Sequence, residues 1–136
     1  MLSLSTVLKI NAISSGATGL GLVLFATPAA SLFDVAATAP FVATGVFLVL
    51  FATFVFIAGS KKAANQRTVK TIILLDSLWV IASFIAILNL FSVISTTGII
   101  IIAAVALWVA AMAYLQRQGL RSDAAINSTV PKFGMQ

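Results

Sequence analysis

The sequence predicts an all-α integral membrane protein, a four-helix bundle, and three observations carry that prediction. Of its residues 61% are hydrophobic and 8% charged, far too apolar a balance for an ordinary soluble domain. The hydrophobicity comes in blocks of about 20 residues, the length a helix needs to cross roughly 30 Å of hydrocarbon. Runs such as IIIIAAVA at 99–106 do not alternate between two faces, which excludes a membrane β-barrel.

Four spans follow, at Ser5–Ala26, Pro40–Ala58, Thr68–Phe91 and Thr97–Gln116, making a membrane domain over 1–119 and a polar cytoplasmic tail over 120–136. The first span begins like a signal peptide, with an apolar stretch at Gly19–Phe25 and small residues at Ala29 and Ala30. We read it as a retained span. At about 100° per residue, Asn11, Ser14, Ser15 and Thr18 share one face, while Ala12, Gly16 and Gly19 share a neighbouring one. The polar face suits hydrogen bonding to another helix, and the small-residue face suits close backbone approach.

Thr27–Thr38 reads as a loop with one amphipathic turn at the membrane surface, carrying Pro28 and Asp34. Thr38 is placed to cap the second span, with Pro40 in its first turn. Phe47, Phe51 and Phe54 then recur at i, i+4, i+7 as an aromatic stripe. Packing in the core or against lipid is the ordinary use of such a stripe, and contact with a quinone, pigment or acyl chain is the alternative.

The connection after the second span, Gly59–Arg67 together with Lys70, holds Lys61, Lys62, Arg67 and Lys70 and no acid. By the positive-inside rule it is cytoplasmic. Four spans then return both termini to that side, where Lys9, Arg117, Arg121 and Lys132 also lie. The net charge of +5 therefore reports topology rather than nucleic-acid binding.

The third span carries Asp76, about 12 Å along the axis from Thr68 and so inside the hydrocarbon. Insertion of a central Asp costs about 2.5–3.5 kcal/mol, and protonating an ordinary carboxyl at pH 7 costs about 4 kcal/mol. Because the two costs are similar, partners must decide its state. Lys70 is about 120° around the helix and a poor candidate. Lys9 and Asn11 from the first span and Arg117 from the fourth are better placed. With Ser15 and Ser83 they predict a buried polar cluster around Asp76.

The fourth span has Ser95, Thr96 and Thr97 as candidate caps, Ala103, Ala106, Ala110 and Ala113 on one face, and Gly119 as a stop. Trp79 and Trp108 lie within spans rather than in an interfacial belt, so packing is expected of both.

Three stretches taken together carry a resemblance: Lys9-Ile10-Asn11-Ala12 with Ser15 and Gly19-Leu20, Asp76-Ser77-Leu78-Trp79-Val80 with Ser83, and Gln116-Arg117-Gln118-Gly119-Leu120-Arg121. They resemble a class of small uncharacterised bacterial four-span membrane proteins over most of residues 8–121. The resemblance implies the four-helix fold and brings no activity or cofactor with it.

The chain has no Cys and no His, and its three acids, Asp34, Asp76 and Asp123, fall in separate regions. Thiolate chemistry, imidazole catalysis and a metal or haem site built on such ligands are not expected. No cofactor is predicted. The expected function is a non-enzymatic structural or accessory subunit of a membrane complex or homo-oligomer in a bacterial cytoplasmic membrane, partnered by lipid and by other membrane subunits. The alternatives are a small transporter or channel coupled through Asp76, and a lipid- or quinone-binding protein using Phe47, Phe51 and Phe54.

Overall fold

The computed structural model describes residues 3–61 and 65–129. Lys62 of the basic connection and residues 130–136 of the tail, Lys132 among them, lie outside the described residues. Within them the chain forms five helices and no strand: α1 (Leu4–Leu24), α2 (Ala26–Leu32), α3 (Ala39–Ser60), α4 (Gln66–Leu90) and α5 (Thr96–Thr129). Four of these, all but α2, are long and apolar enough to cross a membrane. The protein is a multi-pass helical bundle.

Local chemistry sets each boundary. Ser3 caps α1 by accepting from Thr6 N. The helix breaks at Phe25, three residues before Pro28. Proline has no N–H to return to Leu24, but in the first turn of a new helix that donor has no intrahelical partner anyway. The expected amphipathic turn is thus a helix, α2, with Ala26 and Ala30 buried on one side. It ends where Asp34 adopts a left-handed φ of 60°, with Asp34 N bonded to Ser31 O and Val35 N to Ala30 O. This is a Schellman closure with Asp in the usual place of Gly.

Pro40 stands in the first turn of α3 as expected, and Thr38 precedes the helix without a side-chain capping bond. Asn65 caps α4 by accepting from Arg67 N. Ser95 caps α5 by accepting from Gly98 N, and its hydroxyl donates to Leu32 O. The end of α2 is thereby tied to the start of α5. Gly98 makes that approach possible, since a Cβ there would lie 2.8 Å from the Phe33 ring.

Gly119 does not stop α5, which continues ten residues further to Thr129. Its role is steric. A Cβ at Gly119 would lie 3.1–3.3 Å from three atoms of Leu4, so glycine lets the first turn of α1 press on α5. Leu120, assigned to the tail by the sequence, is buried in the core. That core joins Leu4, Leu8 and Ala12 of α1 with Val55 and Ala58 of α3, Val69 and Ile72 of α4, and Leu120. It sits at the bundle end that carries the α1 N-terminus and the α3–α4 connection.

The closest pairing is between α1 and α3. A Cβ on Gly45 would lie 2.6 Å from Gly19 O, and one on Gly19 would lie 2.7 Å from Gly45 O, so the two backbones touch. Gly59 continues the contact at the other end, where a Cβ would lie 2.9 Å from Leu8 Cβ. In lipid no hydrophobic force draws helices together, and such van der Waals fit takes its place.

Gly45→Ala is expected to destabilise the bundle by about 1–3 kcal/mol, because a backbone oxygen cannot move aside. Gly21→Ala, with nothing within 4 Å of the added Cβ, should be neutral or stabilise by up to about 1 kcal/mol through helix propensity. Thermal unfolding of the two variants in detergent checks both.

Candidate functional site: a carboxyl held by amides from two other helices

Asp76 is on α4, fourteen residues before the helix ends at Leu90 and ten after it starts at Gln66, so about 15 Å of helix separates it from the start. It is 3% exposed. At the same depth α1 presents Asn11 and α5 presents Gln116, both fully enclosed. Asn11 Nδ2 donates to Asp76 Oδ2 at 2.9 Å and to Gln116 Oε1 at 2.9 Å. Gln116 Nε2 donates to Asp76 Oδ2 at 2.8 Å. Ser15 Oγ, one turn along from Asn11, donates to Asn11 Oδ1 at 3.2 Å.

The direction of these bonds is uniform. Each amide passes hydrogens toward the carboxyl, which receives two on one oxygen. An ionised carboxylate is an acceptor only, so this donor set matches its needs without a counter-ion.

Lys9 and Arg117 do not join the cluster. Both are exposed, and among the described residues neither bonds to Asp76. Helix phase explains this. Lys9 is two residues from Asn11, about 200° around α1, and Arg117 is one residue from Gln116, about 100° around α5. Ser83 is buried but lies seven residues beyond Asp76, about 10 Å along the axis, and makes no bond to the cluster.

Gln116 is the member that sequence reasoning missed. It had been read as the polar end of the fourth span. Met112, Gln116 and Leu120 recur at intervals of four and are all buried, and a Gln inside such an apolar stripe is the signal that could have found it. The rest of the α1 polar face is also used. Trp108 Nε1 donates to Ser14 Oγ at 3.0 Å, a second polar link between α5 and α1. Thr18 bonds back to Ser14 O of its own helix.

A cavity of about 20 Å³ adjoins the carboxyl, lined by Ser15, Phe47, Leu48, Phe51, Leu75, Asp76, Trp79 and Val109. Two rings of the aromatic stripe are therefore at the site. Phe47 stacks on Phe51 with ring centres 6.3 Å apart, and on Trp79 with centres 6.4 Å apart and planes 3° from parallel. Phe54 is not part of it and is 41% exposed on the outside of the bundle.

Chemically the site holds a carboxyl, two carboxamides, a hydroxyl and an indole. The hydroxyl of Ser15 is committed to an amide rather than to a base, so nothing here makes it a nucleophile. Among the described residues no three His, Cys, Asp or Glu side chains come together as a metal site would require. Comparison with protein-family models, with curated proteins and with solved structures gives no match for the chain.

Asp76→Leu and Gln116→Leu each strand amide groups in the interior and are expected to lower stability by about 1–3 kcal/mol. Asp76→Asn keeps an oxygen that accepts from both amides and should cost less. Lys9→Gln and Arg117→Gln should stay within about 0.5 kcal/mol of the parent. Unfolding midpoints of this set separate an amide-held carboxyl from an ion pair.

Proposed function

We propose that this chain is a non-enzymatic protein of the bacterial cytoplasmic membrane that serves as a structural or accessory subunit, in a membrane complex or a homo-oligomer. One observation carries the reading. The buried acid Asp76 is engaged by amides of the same chain, which is the arrangement of a fastening point. Interhelical hydrogen bonds in membranes average about 0.6 kcal/mol singly, and two of them on one carboxyl, with a third joining the two amides, fix both the rotation and the depth of three helices.

The outer halves of α4 and α5 are consistent with association. Phe84, Ile85 and Leu88 on α4, and Ile100 and Leu107 on α5, are all more than half exposed. Lipid or neighbouring membrane helices cover such side chains. The basic residues Lys9, Lys61, Arg67, Lys70, Arg117 and Arg121 all belong to the bundle end that carries the α1 N-terminus. An open groove of about 500 Å³ lies there at the start of α4, lined by Asn65, Gln66, Arg67, Lys70, Thr71 and Leu74. These charges support an orientation with that end, and both termini, in the cytoplasm.

The cavity beside Asp76 favours one alternative, a small transporter or channel coupled through this carboxyl. That reading requires Asp76→Asn to abolish a proton- or cation-dependent flux in liposomes while the fold is kept.

Because the chain contains no Cys, single cysteines can report orientation without background. Ala36→Cys and Ser92→Cys should react with an impermeant maleimide on intact cells, and Ser60→Cys only after permeabilisation. Gentle extraction from native membrane should yield the protein with partner subunits or as an oligomer. A stable monomer throughout would overturn the accessory-subunit reading.

A further inference from the structure

The cavity beside Asp76, walled by residues of α1, α3, α4 and α5, has a composition that a purely structural carboxyl does not need. Its volume of about 20 Å³ exceeds the roughly 10–15 Å³ that one water-sized guest requires, and it is far too small for a ring. Of its polar walls, Trp79 brings an indole nitrogen, Nε1, that is buried with no hydrogen-bond partner. An indole N–H can only donate, so its missing partner is an acceptor. Asp76 brings the complementary demand. Both amide donors bind its Oδ2, which leaves Oδ1 as the oxygen to receive a further donor. Ser15 Oγ, already donating to Asn11, keeps a lone pair for a third contact.

A group that accepts from an indole and donates to a carboxylate is a hydroxyl. We propose that this cavity is a binding site for a single hydroxyl group, which accepts from Trp79 Nε1–H and donates to Asp76. A simple cation lacks the acceptor that Trp79 requires. A quinone carbonyl has nothing to donate to a carboxylate, and its ring exceeds the space. Leaving the buried indole unpaired in an apolar interior would cost free energy that one hydroxyl recovers.

The hydroxyl has two sources. One is a water molecule. The other is the alcohol of a membrane amphiphile reaching in from the lipid side past Phe47, which stacks on Trp79 at the edge of the cavity and is 48% exposed. The seat does not depend on the fastening contacts, since those use Oδ2. It adds a ligand site to a centre otherwise occupied with holding helices together.

The chain has two Trp residues, so Trp108→Phe leaves Trp79 as the one indole. With that variant ¹⁵N-labelled in nanodiscs, magnetisation exchange from the Trp79 indole proton is expected to show a cross-peak to a hydroxyl. A cross-peak to water that survives delipidation assigns the guest as water. A cross-peak to carbinol protons that disappears on delipidation assigns it to an amphiphile. An indole proton with neither peak would overturn the proposal. If Trp108→Phe does not fold, the parent protein serves, with Trp108 giving the second indole signal.

A second variant tests the site from the opposite side. Val109→Ile adds one methylene to the wall, about the volume of the guest. Where a hydroxyl is bound, the substitution should remove the cross-peak and lower the unfolding temperature by expelling it. A raised unfolding temperature would mean that a dry void had been filled, and would overturn the proposal.

Discussion

Burying one carboxyl in an apolar bundle is the constraint on which the arrangement of this protein depends. A carboxylate in hydrocarbon needs donors, and among the described residues those that bond to Asp76 are the amides of Asn11 and Gln116, from two other helices. Each amide has a fixed place on its own helix. Satisfying the carboxyl therefore sets the rotation of α1, α4 and α5 about their axes and their depth relative to one another. Apolar packing in lipid does not do this well, because a helix sliding by one turn exchanges one apolar neighbour for another. The polar triad makes such slips expensive.

The α1 helix links this triad to the rest of the bundle. Asn11 and Ser15 face α4 and α5, while the adjacent face, with Gly19, presses its backbone against Gly45 of α3. The two faces use different physics. One depends on directional hydrogen bonds in a medium with no competing water, and the other on the absence of side chains where two backbones meet. Helix α3 has no part in the triad and is held by steric fit and by the shared core at the α1 N-terminal end.

Much of this was legible in the sequence, and the residues show why the rest was not. Span number and approximate position followed from block length, and the two faces of α1 followed from helical phase alone. Asp76 was identifiable because a charge in an apolar run stands out. Its partners were harder. Opposite charge made Lys9 and Arg117 attractive, yet a side chain's charge says nothing of the face it occupies in the fold, and both face outward. Gln116 was hidden by standing next to Arg117 at the polar end of an apolar run. Gly119 was read as a conformational stop when its use is to admit Leu4. Glycine serves both purposes, and only the neighbour in space distinguishes them.

The distribution of the triad along the chain bears on how the protein is made. Asn11, Asp76 and Gln116 are synthesised in that order, the second 65 residues after the first and the third 40 after the second. The glycine contact between α1 and α3 can form as soon as α3 is in the bilayer. The hydrogen-bonded centre cannot close until α5 is synthesised as far as Gln116. Until then Asn11 and Asp76 lack the Gln116 amide to which both are bonded in the bundle. The steric pairing of α1 with α3 thus precedes the hydrogen-bonded register of α1, α4 and α5, which waits for the last amide. A chain interrupted before Gln116 leaves Asp76 with the Asn11 amide as one donor where the folded bundle supplies two.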